Sequence, residues 1–95
     1  MVIERAEFPI KPGQEEAFAA AMAGRARTVL LEAEGCRSFV AGRGIENPNT
    51  FILLLEWDSV EAHTAFTKTP AHKELGGLIG GLVAGPANME HFQPV

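Results

Sequence analysis

The stretch Phe51-Ile52-Leu53-Leu54-Leu55-Glu56-Trp57, running directly into Asp58-Ser59-Val60-Glu61-Ala62-His63, decides how this chain folds. Six of its first seven side chains are apolar or aromatic. A strand with one face in water alternates apolar and polar residues. This run does not alternate, so both of its faces are expected to be covered. Asp58 then supplies an N-cap, and Glu61 completes a capping box three residues later. The segment therefore reads as a strand that ends in a tryptophan and turns straight into a helix. A chain of 95 residues has helices enough for one face of a sheet. The other face has to meet a second copy of the chain or a ligand.

Upstream, Val2 to Ile10 reads as a first strand, with Val2, Ala6, Phe8 and Ile10 on one face and Glu4 as an intruder on it. Lys11-Pro12-Gly13 is a turn. Gln14 to Ala33 follows as a helix, because Phe18, Met22, Ala26, Val29 and Ala33 recur at helical spacing. Gly35 stops it. Cys36 to Ile45 is a second strand, and Asn47-Pro48-Asn49 reverses the chain into the Phe51 strand as a hairpin.

Downstream, Val60 to Thr67 is a short helix that Thr69-Pro70 interrupts, and Ala71 to Leu75 resumes it. Gly76 to Gly85 is apolar and rich in glycine. Each glycine weakens a helix by ~1 kcal/mol, so this stretch is expected to be a marginal helix at best. Its functional reading is a mobile cover over an apolar cavity, set against an irregular connection. Asn88 to Val95 is a fourth strand. The order β-α-β-β-α-β is the split βαβ pattern of a ferredoxin-like α+β fold, a single domain over residues 1–95.

The net charge is −4 with no run of like charges, which argues against a nucleic-acid surface and against a basic membrane helix. Cys36 is the single cysteine, so no internal disulfide forms, in keeping with a cytoplasmic setting. The first residues do not read as a signal peptide, and no segment reaches the ~20 apolar residues of a spanning helix.

Three histidines, His63, His72 and His91, are candidates for chemistry. They show neither H-x-x-x-H nor H-x-H spacing, so no metal site is expected. His63 and His72 flank the helix after Trp57, where a pocket at the strand end would lie. His91, in another element, reads as a surface residue. Trp57 is a core anchor whose N–H needs a partner when buried. Cys36 has no histidine at a diagnostic position for a nucleophile, and Gly42-Arg43-Gly44 is too short for a dinucleotide fingerprint.

These residues resemble a known family. Lys11-Pro12-Gly13, Glu34-Gly35-Cys36, Glu56-Trp57-Asp58-Ser59, Glu61-Ala62-His63 and Thr69-Pro70-Ala71-His72 match, in order and spacing, the antibiotic biosynthesis monooxygenase domain family of dimeric α/β-barrel proteins. The resemblance spans nearly the whole chain. It implies a homodimer whose sheets pack face to face, which would cover the second face of the Phe51 strand. Some members are cofactor-free oxygenases of polycyclic phenols. Others degrade haem or act on small quinones, and many have no known activity.

In the cofactor-free mechanism a base takes a substrate proton, the anion reacts directly with oxygen, and the peroxide collapses to a quinone. The resemblance implies His72 or His63 as the base, His72 ranking first because His63 is placed where it could face solvent. Trp57 and Phe66 are expected to line the substrate pocket. No cofactor is implied, and the expected ligand is a small aromatic or quinone-like molecule. Two departures bear on this. The chain has no tyrosine, which the polyketide oxygenases use in the pocket. Its first strand has no asparagine, which the haem-degrading members use there. The alternative is a non-catalytic small-molecule-binding module on the same scaffold.

Overall fold

In the computed structural model, which describes residues 1–95, the Phe51 strand lies inside a four-stranded antiparallel sheet. The strands are β1 (Val2–Pro9), β2 (Cys36–Arg43), β3 (Thr50–Trp57) and β4 (Asn88–Phe92), in the spatial order β2-β3-β1-β4. Helices α1 (Glu15–Ala23) and α2 (Arg25–Leu31) join β1 to β2, and α3 (Val60–Phe66) and α4 (Pro70–Ile79) join β3 to β4. This is the expected ferredoxin-like α+β arrangement. The sheet of one protomer stays open rather than closing into a barrel.

The helix expected from Gln14 to Ala33 is broken at Gly24, whose φ of −112° and ψ of −117° fit no helix. The apolar stripe runs on across the break: Phe18, Met22, Ala26 and Val29 are all buried. Periodicity alone therefore does not reveal the break. An exposed ion pair between Arg25 and Glu74, 2.9 Å at the Nη2 contact, ties α2 to α4.

The helices cover one sheet face. Phe51, Leu53, Leu55 and Trp57 are buried beneath them with Ala6, Ile10 and Phe39. Strand register assigns the other face. Ser38, Glu56, Ile3 and Phe92 form one row across it; Val40, Leu54, Arg5 and Glu90 form the next; Gly42, Ile52, Glu7 and Asn88 form a third. Within a protomer this face is open, and Leu54 and Val40 are 39% and 60% exposed.

The turn after Trp57 differs from the expected capping box. Ser59, not Asp58, caps α3, its Oγ accepting the Ala62 N–H at 3.1 Å. Asp58 is drawn to Arg37 of β2, where the two form an ion pair. Its backbone N–H donates to the Gly35 carbonyl at 2.8 Å. Gly35 has a φ of +85°, and a Cβ there would lie 2.8 Å from the Ala62 Cβ. Only glycine fits both the backbone and the approach of α3.

The Thr69-Pro70 break is as expected. Thr69 Oγ1 accepts the His72 N–H at 3.2 Å, and Pro70 begins α4. The glycine-rich stretch is better ordered than its composition implies. Gly76 and Gly77 continue α4 to Ile79. The turn beyond is pinned to the first strand, with Lys11 N–H on the Leu82 carbonyl at 2.9 Å and Ala84 N–H on the Pro9 carbonyl at 2.8 Å. Tertiary packing overrides the weak propensity.

Candidate functional site

Ala6 faces the helices, so two residues earlier Glu4 must face them too. The register sets Glu4 between Leu55 of β3 and His91 of β4. The carboxyl is therefore built into the core side of the sheet and is 4% exposed. The Trp57 indole, fully enclosed, donates its Nε1–H to Glu4 Oε1 at 2.8 Å. That satisfies the one polar atom of the buried tryptophan.

His63 comes down from α3 onto this pair. Its ring stacks on Trp57, with centroids 4.9 Å apart and planes inclined by 19°. Its Nε2 lies 3.4 Å from Glu4 Oε1, and its Nδ1 lies 2.7 Å from His91 Nε2. One expectation is corrected here. His63 is buried rather than turned to solvent, because the early start of α3 brings the residue four beyond its cap back over the end of β3. His91 is exposed, as expected, and pairing of β4 with β1 sets it opposite Glu4.

A cavity of about 190 Å³ opens beside this cluster. Leu53, Leu55 and Trp57 form its sheet side, and Phe66, Leu75, Gly76 and Ile79 form its helix side. Glu4, His63 and His72 are its titratable lining. The structure thus brings His63, His72, Trp57 and Phe66 to one cavity. His72 is exposed, with its ring edge-on to Phe66 at 5.5 Å and 87°. Two wider hollows, of about 330 and 600 Å³, contain no histidine and none of these residues except Phe66.

Burial pushes the Glu4 carboxyl above its usual range, opposed by the Trp57 hydrogen bond and by the nearby His91 and His72. Burial lowers His63 to about 4, and His91 and His72 add to the effect. His63 is therefore a neutral imidazole at physiological pH. Burial also raises the Cys36 thiol, which donates toward the Ser38 carbonyl at 3.7 Å. That holds it in the unreactive form.

These shifts predict opposite pH effects on stability. Between 6.5 and about 4 the unfolded chain takes up a proton at His63 that the folded chain refuses. Stability is therefore lost as pH falls through this window. Glu4 works the other way: its folded pKa is raised, so its contribution is lost as pH rises through that value. On acidification from about pH 7 to 4.5, the native chain should lose more stability than a His63→Gln variant, by on the order of 1–3 kcal/mol. Parallel urea-unfolding curves across that range would show that His63 charges freely inside the fold.

Glu4 and His91 are not picked out as site residues by sequence reasoning. Glu4 does leave a signal, as the charged residue on the apolar face of its strand. His91 leaves none until β4 is paired with β1.

The sequence profile described as antibiotic biosynthesis monooxygenase matches residues 1–76. The chain is 29% identical, over the full length of both proteins, to the uncharacterized protein YczJ of Bacillus subtilis strain 168. It superimposes with a TM-score of 0.94 on a Bordetella bronchiseptica protein assigned as an antibiotic biosynthesis monooxygenase. That pair is 32% identical over 99% of this chain and 96% of the other. A Nitrosomonas europaea protein with the same assignment has the same fold at 16% identity, with a TM-score of 0.83 over 100% of this chain and 99% of its own. No helix is long and apolar enough to cross a membrane. Over most of its length this chain carries the family's sequence pattern, and over all of it the family's fold: it belongs to the antibiotic biosynthesis monooxygenase family.

Proposed function

We propose that the protein is a cofactor-independent monooxygenase of a small aromatic or quinol-type molecule, working as a cytoplasmic homodimer. One observation carries this reading. A largely apolar cavity of about 190 Å³ holds a carboxyl and two imidazoles on its wall, in a chain of a monooxygenase family. A flat aromatic ring would lie against the wall to which Trp57 and Phe66, packed on each other, both contribute. His72 is the base, because its ring lies on the cavity wall and no side-chain hydrogen bond occupies it. Both nitrogens of His63 already face neighbours.

The base removes a proton from an activated CH₂ or phenol of the substrate. The resulting carbanion transfers an electron pair into a bond with dioxygen and leaves a peroxide. Uptake of a proton, loss of the remaining C–H proton and O–O cleavage then release water and a carbonyl. A CH₂ group and O₂ thus become C=O and H₂O, with dioxygen as the oxidant. The apolar walls hold water away from the anion. The test is oxygen uptake with a panel of hydroquinones and anthrone-like compounds, without flavin, haem or added metal. Product formation matched one to one by oxygen uptake supports the reading. A panel that binds and consumes no oxygen returns the protein to the binding-module alternative, which the absence of tyrosine favours.

Support for the homodimer comes from the open sheet face, where Ile3, Val40, Ile52, Leu54 and Phe92 are interleaved with Arg5, Glu7, Glu56 and Glu90. Exposed apolar side chains at the centre of a sheet call for a partner, and an isologous dimer pairs this face with itself, its arginine and glutamates included. Leu54→Asp places a charge at its centre. Sedimentation at micromolar concentration should give twice the chain mass for the native protein and the single chain mass for the variant. A native protein that sediments as a monomer would refute the dimer.

A further inference from the structure

The cavity is partly open along its helix side, where His72 and Gly76 are exposed, and its buried carboxyl has a second connection to the outside through two imidazoles in series. Glu4 Oε1 lies 3.4 Å from His63 Nε2, His63 Nδ1 lies 2.7 Å from His91 Nε2, and His91 stands exposed on edge strand β4. Glu4 Oε2 has no hydrogen-bond partner within the protein, and no buried side-chain oxygen or nitrogen is left unpaired. That oxygen is therefore open to the cavity that Glu4 lines. The cluster has one end in the cavity, a middle in the core and one end in solvent.

We infer that Glu4, His63 and His91 form a proton-transfer path that links the cavity to bulk water at β4. It deepens the oxygenase reading, which gives the protons their use; the path itself rests on the three side chains alone.

The chemistry of imidazole makes the path workable. In one tautomer His91 Nε2–H donates to His63 Nδ1, and His63 carries its own proton on Nε2, toward Glu4. In the other, His63 donates from Nδ1 to His91. Passing a proton from His91 to His63 Nδ1, while Nε2 gives one up to Glu4 Oε1, converts the first tautomer into the second. One proton enters at His91 from water, one leaves onto Glu4, and no bond other than N–H and O–H changes. The reverse sequence unloads Glu4. Burial disfavours the His63 cation, so the two transfers are coupled instead of passing through a charged imidazolium. The charged and titratable groups around the path are Glu4, His72 and His91, with Cys36 near the carboxyl. The 3.4 Å gap is longer than a formed hydrogen bond, so transfer requires His63 Nε2 and Glu4 Oε1 to approach each other.

The register explains why these three residues coincide. Glu4 and His91 are direct cross-strand partners in the β1–β4 pair, and Trp57 fixes both the carboxyl, by its N–H, and the His63 ring, by stacking. The stacking leaves both ring nitrogens at the rim, where they meet one partner each.

The test uses the free, full-length protein, labelled with ¹⁵N at histidine and tryptophan, and reads exchange of ring N–H protons with water by NMR. Trp57 Nε1–H is the internal control: it points at the same carboxyl and lies outside the path. The His63 ring N–H should exchange at least about tenfold faster in the native chain than in a His91→Gln variant, while the Trp57 indole N–H exchanges equally in both. In His91→Gln the side-chain amide can still donate to His63 Nδ1 but cannot take up and release a proton. The His63 rate should then fall by that factor, with the Trp57 rate and the melting temperature unchanged. In His91→Ala, added imidazole should restore the fast exchange. If the His63 ring N–H exchanges as fast in His91→Gln as in the native chain, the path is refuted. No substrate enters this experiment. A failed oxygen-uptake panel therefore does not bear on the path, and a slow His63 leaves the oxygenase reading standing.

Discussion

A Trp57→Ala chain should lose about 3–5 kcal/mol of folding stability. That is a large share of the ~5–15 kcal/mol that holds a domain together. Trp57 is fully enclosed, closes the end of an interior strand, and packs against Phe66 at 5.6 Å as well as under His63. Removing it opens a hole that neither ring can fill without leaving its own element. It also strips Glu4 Oε1 of its only N–H donor from a non-titrating group. Trp57→Phe separates these effects. It keeps much of the volume and should still cost about 1–3 kcal/mol for the unpaired buried carboxyl oxygen. The measurement is urea unfolding followed by circular dichroism. A Trp57→Ala loss under about 1 kcal/mol would mean that the strand end is not part of the core.

His72→Ala should lower turnover on an accepted substrate by about 10²–10⁴-fold, the usual contribution of a positioned base. Stability should scarcely move, because His72 is exposed and its ring meets only the edge of Phe66. His63→Ala should do the reverse. It removes a stacked ring from Trp57 and leaves Glu4 and His91 without their common neighbour, so stability falls markedly. Its effect on turnover should be the smaller of the two. Paired measurements of oxygen uptake and thermal unfolding distinguish the roles. Full activity in His72→Ala would remove it as the base.

The architecture is legible in the sequence because its signals are local or periodic. The Phe51–Trp57 run, the Asn47-Pro48-Asn49 reversal and the Thr69-Pro70 break each carry their own physics, and all three elements stand where expected. The departures share a cause. Gly24 breaks a helix without disturbing its apolar stripe, so periodicity passes over it. Asp58 and Ser59 are both good caps, and the choice falls to Arg37, which is distant in sequence and claims the aspartate. Gly76 and Gly77 are helical because α4 packs over the cavity, not because of their own propensity.

The site is half legible for the same reason. Trp57, Phe66, His63 and His72 sit on adjacent elements and can be grouped from spacing. Glu4 and His91 lie at opposite ends of the chain and meet through the β1–β4 register. A carboxylate on an apolar strand face is the one visible hint of the core cluster, since burying it without partners would be prohibitive.

The cavity's two sides differ in what they can tolerate. Its sheet side, Leu53, Leu55 and Trp57, is the hydrophobic core itself, so a change there trades fold for fit. Its helix side includes Gly76, where an added Cβ would meet nothing within 4 Å. An alanine at that position adds its methyl to α4 without a clash, and replaces a residue that weakens the helix by ~1 kcal/mol. The outline of the binding space can therefore drift on one wall while the other stays constant. A lineage, or a designer, can change what this chamber accepts through a helix that gains stability in the exchange.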